Sequence, residues 1–176
     1  TTYYYRIAAQ NSVGTVYGSE MSFTTLSDTT APTGSIIINS NATYINSSTV
    51  TLSLSATDNL GVTGYYLSTN SYTPSTSDTG WTSVTSTNSY SSNVSYTLSS
   101  GDGNKTVYVW FKDNSGNVSS TSSDFIILDT TVPTITITSP TSNTTYTVTS
   151  SVIAIGGNAS DSTSGVSSVT WSNNKG

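Results

Sequence analysis

The chain has 176 residues, a formal net charge of −5 and only 7% charged residues. It contains no Cys and no His, which excludes thiol nucleophiles, imidazole bases, Cys-based zinc and iron–sulfur sites, covalent haem attachment and imidazole metal ligands. Only four residues are basic, too few to neutralise phosphates on one face, so nucleic-acid binding is not expected. No apolar run approaches the roughly 20 residues of a membrane helix, so membrane insertion of this segment is not expected.

Hydroxyl side chains replace charges as the source of solubility, because Ser and Thr together number 72 of the 176 residues. Such a composition also occurs in disordered chains. Twelve Tyr, three Trp and many alternating Val, Ile and Leu residues instead favour ordered β structure. The composition is that of a secreted protein, yet no starting Met or signal-like segment is present. We therefore expect a window cut from a longer chain.

Strand signals follow one another along the chain, and helix signals are nearly absent. Turn-forming clusters separate them at 58–61, 99–104, 113–117 and 162–165. Many short strands with turns at this spacing predict an all-β fold of sandwich type. The clearest strands are predicted at 50–56, 94–99, 107–111 and 135–139.

Two nearly identical hexapeptides, DTTAPT at 28–33 and DTTVPT at 129–134, begin 101 residues apart. This spacing suits one domain and is too long for a small solenoid repeat. Each Pro fixes its own backbone angle and favours an extended residue before it, as at the start of an edge strand. The predicted division is a C-terminal domain fragment at 1–25, a linker at 26–31, a complete sandwich at 32–128, a linker at 129–133 and an N-terminal domain fragment at 134–176.

Two kinds of β-sandwich resemblance cover nearly the whole chain. The segment TTYYYRIAAQNSVGTVYGSEMSFTT resembles the final strands of a fibronectin type III domain, with Tyr3 where that family places its tyrosine corner. The segments SATDNLGVTGYYLS and KTVYVWFKDNSGNVS resemble bacterial immunoglobulin-like repeats, and the last fragment is similar to the same group. The resemblance implies tandem immunoglobulin-like sandwiches, the first and last incomplete, as in adhesins, stalks, surface layers and filaments. It implies no reaction.

Alternation assigns side chains to the two faces of each strand. In the strand at 105–111, odd-numbered residues are predicted to face the core, and the aligned residues of the first fragment should do the same. These predicted core residues are Val107, Val109 and Phe111, with Tyr5, Ile7 and Ala9 in the first fragment.

The opposite faces of two neighbouring strands would present an aromatic interaction patch. Tyr66, Tyr108 and Trp110 are predicted to point outward, joined by Trp81. Rigid aromatic side chains suit contacts with a protein partner or a glycan. The alternative is that they pack under the loop at 69–85 or against a neighbouring domain.

Acidic residues recur near the domain junctions, at Asp28, Asp58, Asp129 and Asp161. Calcium shared between modules is therefore possible, although each junction offers few acidic partners. No other cofactor is expected. The DNSGN stretch at 113–117 is similar to the start of an EF-hand loop, but position 124 carries Asp instead of Glu and the flanks are strand-like. A hairpin turn is the simpler interpretation of this stretch.

Glycosylation sequons are frequent, about as frequent as chance predicts for a chain this rich in Asn, Ser and Thr. They begin at Asn41, Asn46, Asn93, Asn104, Asn117, Asn143 and Asn158. No catalytic constellation is recognised, since the nine acidic residues are scattered and a Ser triad lacks its His. We therefore do not expect an enzyme.

The sequence thus favours a structural segment of a long extracellular or cell-surface protein. It would act by spacing and by protein–protein contact, with other copies or other surface proteins as partners. The alternative is a non-catalytic glycan-binding region of a secreted polysaccharide-degrading enzyme, in which the outward aromatics would hold glycan.

Overall fold

The computed structural model describes residues 1–172, so the last four residues of the third predicted domain, including Lys175, lie outside the described part. The described chain forms strands and one short 3-10 helix, which confirms the all-β prediction. No helix within residues 1–172 has the length and apolarity needed to cross a membrane. The strands are β1 Thr2–Tyr5, β2 Ala8–Gln10, β3 Thr15–Tyr17, β4 Met21–Thr24, β5 Thr33–Ile38, β6 Tyr44–Ile45, β7 Thr49–Ser68, β8 Trp81–Thr97, β9 Gly103–Asp113, β10 Ser122–Leu128, β11 Thr134–Ser139 and β12 Gly156–Ser160.

The first unit, β1–β4, is a long hairpin made of two antiparallel pairs: β1 pairs with β4, and β2 pairs with β3. Tyr3 stacks on Phe23 at 5.2 Å between ring centroids. The prediction that Tyr5, Ile7 and Ala9 face a core is wrong for this structure, because all three are exposed. The physical reason is that no second sheet packs on the hairpin within the described residues, so neither face of its strands is buried.

The central unit, β5–β10, is a two-layer sandwich whose layers are joined by two long strands. One layer contains β5, the first half of β7 and the second half of β8. The other contains the first half of β8, the second half of β7, then β9, β10 and β6. These sheets are consistent with an immunoglobulin-like sandwich.

The core of the central unit lies between the two layers, and its residues alternate along the first half of β7 and along β9. Val107, Val109 and Phe111 of β9 are buried as predicted. They meet alternate residues of the opposite layer, and burial of such side chains stabilises by about 1.5–3 kcal/mol each. The other buried apolar members of this cluster are Ile36, Ile38, Val50, Leu52, Leu54, Ala56, Val62, Tyr65, Leu98 and Ile126.

Strand β7 continues through the segment 58–61, which the sequence predicted to be a turn. Its pairing with β8 shifts register between Thr57 and Val62, as at a β-bulge. Asp58 Oδ1 accepts hydrogen bonds from the amides of Leu60 and Gly61, and Gly61 has a φ of +110°. The local chemistry is thus that of a turn, as the sequence predicts. Pairing with β8 before and after this segment keeps β7 continuous, and the strand thereby passes from one layer to the other.

The chain also changes layers between β5 and β6. Asn39, Ser40 and Asn41 have positive φ values of 43°, 55° and 64°, so the chain turns sharply at the 3-10 helix Asn39–Asn41. Asn39 Oδ1 accepts a hydrogen bond from the Thr51 amide at 2.8 Å, which holds this turn against β7. Strand β6 then pairs in parallel with β10.

The third unit contains β11 and β12, which pair in antiparallel fashion within the described residues. The sequence predicted a third strand here, with Val169 and Trp171 aligned to Tyr65 and Leu67 of β7. Residues 166–172 instead form no strand, and Val169 and Trp171 are exposed. In the central unit the corresponding strand is held by pairing with β9, and no such neighbour lies within residues 134–172.

Candidate functional site

The structure brings the four predicted patch residues together on the outer face of the central unit. Ring centroids lie 5.6 Å apart for Tyr66 and Trp81, 6.2 Å for Tyr66 and Trp110, and 6.2 Å for Tyr108 and Trp110. The pairing of Tyr66 with both Trp81 and Trp110 explains this, because β7 lies between β8 and β9 there. We call these four residues the aromatic cluster.

Trp110 is nevertheless fully buried, so the prediction that it is exposed is wrong. It points away from the main core, as alternation predicts, and it is absent from the core cluster. The connection at residues 69–80, in which Pro74 is buried, contacts Tyr66 and Trp81 of the cluster. Trp81 Nε1 donates a hydrogen bond to the Ser75 carbonyl at 2.8 Å and holds this connection in place.

The accessible part of the aromatic cluster is therefore smaller than the sequence predicted. Tyr66, Trp81 and Tyr108 are each half-buried. Lys112 Nζ lies 4.7 Å from the centroid of the Trp81 ring, in cation–π geometry. A Cβ at Gly80 would overlap the Tyr66 ring. The geometry favours the alternative in which these aromatics pack under a loop, as a satellite of the main core.

The first junction is a second candidate site, built around Asp28 of the linker. Asp28 Oδ1 accepts hydrogen bonds from the Thr30 amide at 3.1 Å and from Asn59 Nδ2 at 3.3 Å. Asn117 Nδ2 donates to the Asp28 carbonyl oxygen at 3.2 Å. These bonds attach the linker to two different loops of the central unit. The Thr30 amide is the main reason that the pKa of Asp28 lies below its ordinary value.

Three carboxylates meet at this junction, from Asp28, Asp58 and Asp113. One oxygen from each lies within 4.8 Å of the other two. The sequence singled out Asp28 and Asp58 but treated Asp113 only as part of a turn. Asp113 joins them because β9 pairs with β7 so that it lies opposite Val62. We call these three residues the junction triad.

Each central-unit carboxylate of the junction triad is oriented by its own loop. Asp113 Oδ1 accepts from the amides of Ser115 and Asn117, at 2.9 and 2.8 Å. Asp113 Oδ2 accepts from Asn117 Nδ2 at 2.7 Å. Asp58 uses only Oδ1 for the turn it stabilises, so its Oδ2 has no hydrogen-bond partner. The arrangement offers carboxylate oxygens to a cation.

The second junction repeats part of this arrangement. Asp129 Oδ1 accepts from the Thr131 amide at 3.1 Å, as Asp28 does from Thr30. Asp129 Oδ2 accepts from the Ser164 amide at 3.0 Å, and Ser164 belongs to the turn that Asp161 organises. The linker carboxylate thus again contacts the acidic turn segment of the unit that follows it, 58–61 in the central unit and 161–165 in the third.

Asp102 attaches the second linker to the unit that precedes it. Its Oδ1 accepts from the Thr130 amide at 2.8 Å and the Thr130 hydroxyl at 2.7 Å, and its Oδ2 accepts from the Thr131 hydroxyl. The Thr131 hydroxyl, followed by the Thr130 amide and hydroxyl, lowers the pKa of Asp102 below its ordinary value of 3.8. The second linker is therefore anchored at both ends.

This lowered pKa predicts a pH dependence for the linker contact. The contact is fully formed above the unfolded pKa of about 4, and it is lost as the pH falls through the lower folded pKa. A carboxyl-carbon NMR titration should give Asp102 a midpoint below 3.8. Hydrogen exchange at the Thr130 amide should lose protection over the same range, beyond the intrinsic pH effect, and in Asp102→Asn this loss should be absent. A midpoint at or above the ordinary value would contradict the anchoring role.

The Asn side chains of the sequons differ in solvent exposure and in hydrogen bonding. Asn117 is half-buried and donates to both Asp28 and Asp113, so a glycan on its nitrogen would disturb the first junction. The other predicted acceptors have exposed side chains: Asn41, Asn46, Asn93, Asn104, Asn143 and Asn158.

Comparison with known proteins gives one family match. No curated protein is similar to the chain at a significant level. The fibronectin type III resemblance of residues 1–25 therefore stays a prediction. Bacterial Ig domains are typically non-catalytic and are common in extracellular surface proteins. Residues 133–176, a quarter of the chain, match the family model of a bacterial Ig domain, which supports the immunoglobulin-like interpretation of the third unit.

Proposed function

We propose that this chain is a structural segment of a long extracellular surface protein, which holds successive β-sandwich modules at fixed spacing. The observation that carries the proposal is the anchoring of both linkers. Each is short, lacks Gly runs and has a Pro at its end or directly after it, and each is hydrogen-bonded to the unit that follows it. A linker tied in this way has fewer conformations than a free one, so it transmits position from one module to the next.

The proline residues add to this restriction. Pro32 is buried at the start of the central unit, directly before β5. Its ring fixes φ and restricts the residue before it to extended conformations. The backbone thus enters β5 in one direction. A stalk, adhesin or filament component needs this property, whereas a catalytic domain does not.

Protein–protein contact is the second part of the proposal, with other copies or other surface proteins as partners. The half-buried ring of Trp81, beside Tyr66, is the accessible part of the aromatic cluster and the contact surface that we propose. Glycan binding at the same surface is less supported, because Trp110, which would be central to a sugar platform, is covered.

Single-molecule energy transfer tests the spacing role. The chain has no Cys, so dyes can be placed by Val13→Cys in the first unit and Ser100→Cys in the central unit, both exposed. We expect one narrow distance distribution. A variant with a loosened linker, Asp28→Gly with Pro32→Gly, should broaden this distribution. An equally broad distribution in both proteins would contradict the spacing role.

Electron microscopy of the native material tests the contact role. We expect subunit contacts that include Trp81 and recur at a regular repeat. Isolated chains with that face bare would contradict assembly through this surface. A glycan screen of the wild type and of Trp81→Ala separates the alternative, since measurable affinity lost in the variant would favour a sugar-binding region.

A further inference from the structure

The junction triad joins three segments that are distant in sequence. Asp28 lies in the linker, Asp58 at the bulge of β7, and Asp113 at the end of β9. One oxygen from each lies within 4.8 Å of the others. Three carboxylates at this separation repel one another strongly unless a cation or protons neutralise them.

A second observation points to a ligand among them. Asp58 is only 9% exposed, and its Oδ2 is buried without a hydrogen-bond partner. Asp28 Oδ2 is likewise buried and unpartnered. A buried carboxylate oxygen with no partner is costly, so native proteins pair such atoms or use them to coordinate metals.

The basic residues of the described chain are engaged elsewhere. Arg6 lies over the Tyr17 ring, Lys105 donates to the Ser100 carbonyl, and Lys112 lies over the Trp81 ring. None of these three contacts involves the junction triad. The charge of the triad is therefore not balanced by these side chains.

We propose that the junction triad is a binding site for a divalent cation, and that the cation is Ca²⁺. All three side chains offer carboxylate oxygens, the ligands that hard cations prefer. Two oxygens on opposite sides of Ca²⁺ lie up to roughly 5 Å apart, because each bond is about 2.3–2.6 Å long. The oxygens of the triad fall within this limit. Mg²⁺ demands near-ideal octahedral geometry and gives up its water ligands reluctantly, so we expect it to bind more weakly here.

The bound ion would connect the linker to the central unit. Hydrogen bonds to Oδ1 orient Asp28 and Asp58, which leaves Oδ2 of each for the ion. Water or backbone carbonyl oxygens complete a Ca²⁺ shell in such sites. The ion would thus add a direct bridge between Asp28 and two segments of the central unit to which hydrogen bonds already attach the linker.

Calcium titration of the chain, after removal of metal with EDTA, tests the site. Amide chemical shifts from ¹⁵N-labelled protein at pH 7.5 should move in saturable fashion at Thr30, Leu60, Gly61 and Asn117. Extracellular modules bind Ca²⁺ with Kd of about 0.1–1 mM, and we expect this range. The melting temperature of the central unit should rise with calcium, since ligand binding to the folded state stabilises it. Magnesium should bind at least tenfold more weakly.

Two variants and one control locate the site. Asp28→Asn and Asp58→Asn should each weaken calcium binding at least tenfold. The matched control, Asp78→Asn, makes the same charge change in the loop at 69–80, where Asp78 accepts only from the Ser75 amide, and should leave binding unchanged. Asp28 lies outside the sandwich strands, so its variant should keep the near-ultraviolet circular dichroism of the wild type.

Two results would overturn the proposal. The first is the absence of shifts and of any melting change at 10 mM calcium. The second is calcium binding that persists in both variants, which would place it elsewhere. The site does not depend on the spacing role: calcium binding with a broad distance distribution would keep the site and reject the spacer.

Discussion

Trp110→Ala is expected to lower the free energy of unfolding of the central unit by about 3–5 kcal/mol, as truncation of a buried Trp typically does. Its side chain is completely buried although it points away from the main core. The substitution would remove the contacts of this ring with Tyr66 and Tyr108 and leave a cavity beside them. Urea denaturation followed by fluorescence of the remaining Trp residues measures the change.

Two further variants test whether the loss of stability arises from the burial of the Trp110 ring. Trp81→Ala removes a ring that is only half-buried, so we expect a smaller loss than for Trp110→Ala. Trp110→Phe keeps most of the apolar volume and removes the buried Nε1 donor, which has no partner, so its loss should also be smaller. If Trp110→Ala cost no more than Trp81→Ala, Trp110 would be accessible and the sugar-platform interpretation would regain its central residue.

The direction of the Trp110 side chain follows from alternation, but its burial does not. Period-two patterning states which face of β9 a residue occupies, and it correctly separated Trp110 from Val109 and Phe111. What covers that face depends on how the connection at 69–80 folds back. This is set by tertiary contacts such as the close approach of Gly80 to the Tyr66 ring, which no local pattern encodes.

The junction triad shows the same limit of prediction from sequence. The recurrence of Asp28 and Asp129 is visible in the sequence because the hexapeptide around them repeats. The third carboxylate, Asp113, lies 55 positions after Asp58 in a stretch that also satisfies the chemistry of a turn. Only the register between β7 and β9 brings the two together, and registers between distant strands are not readable from composition or spacing.

The first unit shows that alternation alone does not produce burial. Tyr5, Ile7 and Ala9 have the same pattern as the buried residues of β9, yet they remain exposed in a hairpin with no opposing sheet. A pattern of period two describes a strand with two different faces. It predicts a core only where another layer is present to pack on one of them.

Gly34→Ala is expected to destabilise the central unit by about 1–3 kcal/mol or more, the usual cost of overpacking a close-packed core. Gly34 lies in β5, opposite Ala56 of β7. A Cβ there would overlap the Phe111 ring and lie 2.7 Å from the Ser55 carbonyl oxygen. The ring cannot turn into solvent, because Phe111 is buried between the layers, and the carbonyl belongs to a paired strand.

Denaturant unfolding of Gly34→Ala, Phe111→Leu, their double variant and one control checks that this effect arises from the Phe111 ring and the Ser55 carbonyl. Gly14→Ala is the control, since a Cβ at Gly14 meets nothing within 4 Å, and no loss is expected there. In the double variant Gly34→Ala with Phe111→Leu, the loss should be smaller than the sum of the two single losses, because Leu leaves space beside residue 34. The rescue should be partial, since the Ser55 carbonyl remains. Additive losses would mean that the ring does not obstruct residue 34, and that β5 packs on the opposite layer less closely than the structure places it.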